Sequence, residues 1–355
     1  MAEGAEVLMR RAAALWLFIA LAMPPLLAVP AVIEEVGISF SVVNENTSRT
    51  SAACKADGKG YTVRGAIAAP RSALVDTADN AVTLYLHGSG DGSEWNFTGF
   101  PDVDYLAGMA GKGHVSVFIH LLGYGTSDPV DGNALCVGSW ASMAHQVVQH
   151  LRAGTYDAGG LPTPTFERVA LAGHSGGVIA AELYSVSFDD IDALIGAGWA
   201  DTAPTFVPLF TGAGKLVTEC IDGGSSKEPG GPPGWARLFG ADDLRRLLYN
   251  TDPDVLEAFI DRYEMDFCGL RRDIGPALAV NMALSPLLVR VPVLLIFGDH
   301  DPFSPGAYEI KRTRYVSSHD VTLKVLPNAG HNAMMGRTAV EYREVMSAWL
   351  KARRF

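Results

Sequence analysis

The chain has 355 residues, 48% of them hydrophobic and 19% charged, which supplies material for a large buried core and excludes extended disorder. A formal net charge of −11 gives no electrostatic pull on phosphate backbones, so nucleic acid is excluded as a partner. At this length, one large domain carrying an insertion, or two domains, is expected.

In chain order, the first feature is a leader. Arg10-Arg11 precede an uninterrupted apolar run, Ala12–Met23, which Pro24-Pro25 break. Val29-Pro-Ala31 then offers small residues for a cut after Ala31. This is the layout of a secretory signal, so 1–31 are read as a signal peptide and the protein as secreted or exported. The stretch Ala12–Ile33 carries no charge and is long enough to span a bilayer. A retained membrane anchor is therefore the alternative, and membrane association is expected through this N-terminal segment only.

Export bears on the cysteines, Cys54, Cys136, Cys220 and Cys268. None belongs to a C-x-x-C pair, and an even count in an oxidising compartment suggests up to two disulfides. Three pairings are open. The reading leans to Cys54–Cys136 with Cys220–Cys268, since the latter two share one segment. Asn46-Thr-Ser and Asn96-Phe-Thr are glycosylation sequons, relevant only in a host that glycosylates.

Short apolar runs follow at Tyr61–Ala68, Ala81–Leu86, His114–Ile119, Arg168–Ala172, Ile191–Gly196, Val291–Phe297 and Val321–Leu326. Most end in glycine turns, as buried parallel strands do. Helical patterns lie between them at Asp104–Lys112, Ser139–Ala153, Gly177–Val186, Ala307–Tyr315 and Thr338–Lys351. The alternation predicts an α/β fold with a doubly wound, mostly parallel sheet. From about Ala200 to Leu288 no buried strand stands out. A Gly/Pro-rich tract, Gly223–Gly234, is followed there by helical stretches at Ala241–Tyr249 and Asp254–Phe267. The expected organisation is a core of 32–199 and 289–355, interrupted by a mainly helical insertion over 200–288 that caps the site.

Gly173-His-Ser-Gly-Gly177 matches G-x-S-x-G. Alone the pattern is weak in a chain with 38 glycines. Its context is not, because a strand pattern enters it and a helical pattern leaves it, as a nucleophile elbow requires. Ser175 is thus the candidate nucleophile. A serine hydroxyl needs a base, and His331, directly after the last strand pattern, can take its proton and return it to the leaving group. The base needs an acid to fix its tautomer. Asp299 and Asp301 both lie on the loop after Val293–Phe297, with His300 between them. His174 is expected to pack beside the serine without a proton-transfer role. For the oxyanion, the backbone N–H groups of Gly176 and Ser89 are the candidate donors, the latter in His87-Gly-Ser-Gly90. Within or beside the insertion, Trp199, Phe206, Phe210 and Trp235 are candidates to line a substrate pocket. The nine histidines show no H-x-x-x-H spacing, so neither metal nor cofactor is expected.

Together these motifs resemble the α/β-hydrolase superfamily, especially its secreted or exported members with a helical cap. The likeness runs from about Tyr61 to the C-terminus. It is carried by His87-Gly88, Leu122-Gly-Tyr-Gly-Thr-Ser-Asp128, Gly173-His-Ser-Gly-Gly177, Gly298-Asp-His-Asp301 and Gly330-His331. The resemblance implies an esterase- or lipase-like serine hydrolase acting on a small-molecule acyl substrate through an acyl-enzyme on Ser175. The family's spacing favours Asp301 over Asp299, and the order Ser, Asp, His is the family's own. Acyl transfer or amide hydrolysis could use the same triad, and a non-catalytic ligand-binding protein is the remaining alternative. One departure stands out: His120 occupies a position near the Gly-Tyr-Gly motif where the family often has Asp. A serine nucleophile separates the chain from the branches that use Asp there.

Overall fold

The computed structural model describes residues 32–75, 80–90, 92–201, 214, 216–273 and 276–355. Its centre is an eight-stranded sheet: β1 (Ile33–Val43), β2 (Gly60–Pro70), β3 (Ala81–Leu86), β4 (Ser116–His120), β5 (Arg168–His174), β6 (Ala193–Ala197), β9 (Val293–Gly298) and β10 (Val321–Leu326). Their spatial order is β1-β2-β4-β3-β5-β6-β9-β10. The pairs β1/β2 and β2/β4 are antiparallel, and every pairing from β4 to β10 is parallel. The sheet is mixed and mostly parallel, with helices between its strands: the α/β-hydrolase fold.

Burial follows the strand chemistry. In β3, β5, β6 and β9 almost every residue is buried, as continuous apolar runs demand when both faces are covered. β1 was not among the expected strands. Its Ile38, Phe40 and Val42 are buried and alternate with less buried neighbours, the period-2 pattern of a strand with one face on the core. The edge strand β10 is half open to solvent.

Strand order reverses at β3. The chain leaves β3 toward β4 on one side and leaves β5 toward β6 on the other. In an open parallel sheet the crevice outside the carboxyl ends at such a reversal is where ligands bind. The register aligns Leu86 with Gly173 and Gly173 with Gly196, so the loops after β3, β5 and β6 emerge side by side.

Between β6 and β9 lie a two-stranded ribbon, β7 (Trp235–Ala236) with β8 (Asp266–Phe267), and the helices Ala241–Leu247, Pro253–Arg262, Leu270–Asp273 and Pro276–Leu288. The helical expectation over Asp254–Phe267 was too long. The helix ends at Arg262, and Asp266 and Phe267 pair instead with Ala236 and Trp235. Two disulfides join Cys54 to Cys136 and Cys220 to Cys268. The first ties an N-terminal loop to the N-cap of the helix Val137–Ala153, and the second ties the ribbon to the preceding helical turn. All described residues belong to one unit, Val32–Phe355. Residues 1–31, expected to be a signal peptide, lie outside them, as do Phe206 and Phe210. Among the described residues no helix is long and apolar enough to cross a membrane.

Candidate active site

Ser175 is the single residue between β5 and the helix Gly176–Phe188. Its backbone sits at φ 53, ψ −122, a conformation that side chains rarely adopt and that is held only where surroundings over-determine it. Steric crowding explains the flanking glycines. A Cβ at Gly173 would lie 2.4 Å from the carbonyl oxygen of Gly177, and one at Gly177 would lie 2.6 Å from the carbonyl oxygens of Leu86 and His87. The chain turns this sharply only without those side chains.

Asp301 and His331 come together in the interior. His331 Nδ1 lies 3.0 Å from Asp301 Oδ1, with both side chains almost wholly buried. The same Oδ1 accepts the N–H of Phe303 at 2.8 Å. The Phe303 ring packs against the His331 ring at 4.7 Å between centroids. Asp299 goes elsewhere. It is partly exposed, pairs with His300 at 2.7 Å and accepts the N–H of Ala329. Its slight burial would raise its carboxyl, but hydrogen bonds from His300, Ala329 and Asn328 hold it below the ordinary value. His300 stacks on Tyr249 at 4.2 Å. The insertion also reaches the loop of His331 directly, since the His331 N–H donates to the carbonyl of Leu247 at 2.9 Å.

The loop after β3 backs onto the elbow. A Cβ at Gly88 would stand 2.7 Å from Ser175 Cβ and 2.9 Å from the Gly176 nitrogen. Near the next residue, Ser89, lies the buried carboxylate of Asp266, which accepts the hydroxyl of Tyr263 at 3.1 Å. Burial pushes Asp266 up to about 6, against the pull of Tyr263, Lys227, Ser89 and Gly90. Asp266 of strand β8 therefore lies beside the loop that contains Ser89. Nothing local marks this role: Asp266 follows a helical pattern, and its partners lie far away in the chain.

Trp199 and Trp235 are separate. Trp199 is buried near Phe303 and donates its Nε1–H to Asp201. Gly198, just before it, lies against the His331 ring. Trp235 is buried beside Tyr124 and donates to the carbonyl of Val130 at 3.1 Å. It lines a cavity of about 500 Å³ with Gly123, Lys227, Arg237, Tyr263 and Met265, among others. Neither Ser175, Asp301 nor His331 is in that lining. Among the described residues no group of three or more His, Cys, Asp or Glu side chains stands together as a metal site would.

Sequence reasoning missed Glu94. It is wholly buried behind the elbow, with Oε1 3.1 Å from His174 Nδ1 and 3.5 Å from the Gly88 nitrogen. His174, expected to be a packing residue, carries hydrogen bonds on both ring nitrogens.

A serine at a sharp strand-to-helix turn, at the reversal point of a mostly parallel sheet and with a buried imidazole on a neighbouring loop, fits the α/β-hydrolase class. Comparison with known proteins agrees. The profile of the "Alpha/beta hydrolase family" matches residues 84–345, and the chain belongs to that family. No curated protein matches it in sequence. Among solved structures it is similar to a thermophilic esterase from Thermogutta terrifontis, at 17% identity and TM-score 0.56 over 89% of this chain and 100% of that one. It is similar to a monoacylglycerol lipase from Paleococcus ferrophilus, at 19% identity and TM-score 0.55 over 76% and 93%. It is also similar to Est1E from Butyrivibrio proteoclasticus, with ferulic acid bound, at 17% identity and TM-score 0.51 over 83% and 96%. At these identities the likeness speaks for the fold.

Proposed function

We propose that this protein is a serine hydrolase that cleaves ester-type bonds of small acyl substrates. Ser175 Oγ attacks the carbonyl carbon while His331 takes its proton. The carbonyl oxygen becomes an oxyanion, accepted by the N–H groups of Gly176 and Ser89. Collapse expels the alcohol, which leaves with the proton from His331, and an acyl-enzyme remains on Ser175. Water then enters by the same steps in reverse order, releasing the acid. Asp301 holds His331 in the tautomer whose Nε2 is free to accept and stabilises the imidazolium.

The observation that carries this reading is the buried Asp301–His331 pair on loops at the same sheet end as a serine held at φ 53. The close approach of Gly88 to Gly176 supports the oxyanion assignment, and the esterase and lipase among the structural neighbours support the ester preference. We read 200–288 as a cap over this site. The bond between His331 and Leu247, and the nearness of Asp266 to the Ser89 loop, support that reading. Trp199, beside the ring cluster of Phe303 and His331, and Trp235, in the cavity wall, are the proposed substrate-binding residues. We also propose export through 1–31, which the two disulfides support because such bonds persist in oxidising compartments.

The test is labelling of the full protein with a fluorophosphonate probe alongside turnover of p-nitrophenyl esters of graded chain length. Ser175→Ala should lose the label and several orders of magnitude of turnover. Undiminished turnover in that variant overturns the proposal.

A further inference from the structure

Two buried imidazoles flank Glu94, and their partners demand different protonation states. His87 Nδ1 lies 2.9 Å from the Gly88 carbonyl, and its Nε2 accepts the N–H of Leu121 at 2.9 Å. One donor bond and one acceptor bond describe a neutral ring. Burial fits this, pushing His87 down to about 4 in spite of the Glu94 charge.

His174 is different. Its Nδ1 faces Glu94 Oε1 at 3.1 Å, and its Nε2 faces the backbone carbonyl of His331 at 3.2 Å. A carbonyl only accepts. Glu94 only accepts too while ionised. Burial works to raise its carboxyl, but the hydrogen bond and charge of His174 hold it below its ordinary value. A ring that makes both of these bonds donates from both nitrogens and so carries both protons. Its charge is matched by Glu94 at a site where neither side chain is more than 3% exposed.

The pair touches three loops at once. Glu94 faces the N–H of Gly88, next to Ser89. His174 is the residue before Ser175. Its other bond holds the backbone of His331, and the two rings stand 4.8 Å apart. The rings of Trp95 and His174 meet in a T-shaped arrangement at 6.2 Å between centroids.

We propose that Glu94 and a doubly protonated His174 form a buried ion pair that positions His331 and the Gly88–Ser89 loop relative to Ser175. Glu94 and His174 are positioning residues, since neither touches the reacting atoms. The groups facing His331 are then Asp301 on its Nδ1 side and the His174 cation on the elbow side, with Glu94, His87 and Tyr342 behind the cation.

The first arm of the test is ¹⁵N-resolved NMR of the histidine side chains in the full protein, with the His174 signals assigned by their loss in His174→Asn. Both His174 nitrogens should be protonated in the folded protein at neutral pH, and Glu94→Gln should leave one of them bare. A single protonated nitrogen in the unmodified protein overturns the proposal. The second arm rests on the serine-hydrolase reading. His174→Asn, Glu94→Gln and the double variant should each lower kcat and the fluorophosphonate labelling rate by about 10²-fold with KM little changed, as misplacement of a base does. Unchanged kcat and labelling rate in a variant with an intact circular dichroism spectrum overturn the positioning role. The double variant leaves no unpaired charge, so it keeps the test open if a single variant fails to fold. Failure of the unmodified protein to take the label would sink the serine-hydrolase reading, while the NMR arm still decides the ion pair.

Discussion

Replacing Asp301 by Asn separates the two carboxylates of the acid loop. Asp301 Oδ1 serves two donors, His331 Nδ1 and the N–H of Phe303, whereas its buried Oδ2 has no hydrogen-bond partner among the described residues. An asparagine has two orientations here. With its oxygen in place of Oδ1, both bonds survive, but an NH₂ is stranded where Oδ2 was and the charge that stabilises the imidazolium is gone. With the amide turned, its NH₂ faces His331 and forces the proton onto Nε2, the nitrogen that accepts the serine proton in the proposed mechanism. Either way turnover should fall by about 10³- to 10⁴-fold, or roughly 4–5.5 kcal/mol of transition-state stabilisation. Asp299 is 37% exposed and bonds to His300 and Ala329, so Asp299→Asn should cost less than about tenfold. The assay is steady-state hydrolysis of a short p-nitrophenyl ester, with melting curves to show that both variants are folded. A larger loss in Asp299→Asn than in Asp301→Asn would refute the reasoning, as would more than a tenth of the activity remaining in Asp301→Asn.

Three further outcomes follow from the same contacts. The Cys220–Cys268 bond closes a loop of 48 residues, so Cys220→Ser/Cys268→Ser should lower stability in urea by about 4 kcal/mol on chain-entropy grounds; a change under ~1 kcal/mol contradicts this. Asp273 accepts the N–H of Val137, and burial raises it to about 7, against the pull of that bond and of Arg272. The folded state then holds this proton more tightly than the unfolded one, so its stabilising effect is full below about pH 4 and is lost as pH rises through about 7. Asp273→Asn should therefore gain on the unmodified protein by roughly 2–4 kcal/mol between about pH 4 and pH 8, and a pH-independent difference between the two would rule this out. Exported protein should begin at Val32 by intact mass, with no thiol open to alkylation before reduction; a retained leader would favour the membrane-anchor alternative.

Much of this molecule was legible locally. Strand runs, glycine turns and the G-x-S-x-G elbow obey steric and periodic rules that act over a few residues, so the positions of β3, β5, β9 and β10, and of Ser175 between strand and helix, could be read from the chain. Strand β1 carries its own period-2 signal in Ile38, Phe40 and Val42, but it adjoins the apolar leader, whose run reaches Ile33 and obscures where the strand begins. The disulfide pairing was one of three that the sequence allowed. Distance in the fold decided it, with Cα atoms 5.6 Å and 5.5 Å apart at the two bonds.

Tertiary structure alone decided the charge pairing around the site. Glu94 and His174 lie 80 residues apart, and neither has a neighbour in sequence that reveals its burial. Asp266 lies beside the Ser89 loop only because β8 pairs with β7 and turns toward the loop after β3. The division has a physical reason. Backbone conformation and strand formation depend on nearest-neighbour sterics and hydrophobic period, which a linear sequence displays. Whether a carboxylate is solvated or paired inside the protein depends on which distant side chains exclude water from it, and that is settled only when the sheet has brought its loops together.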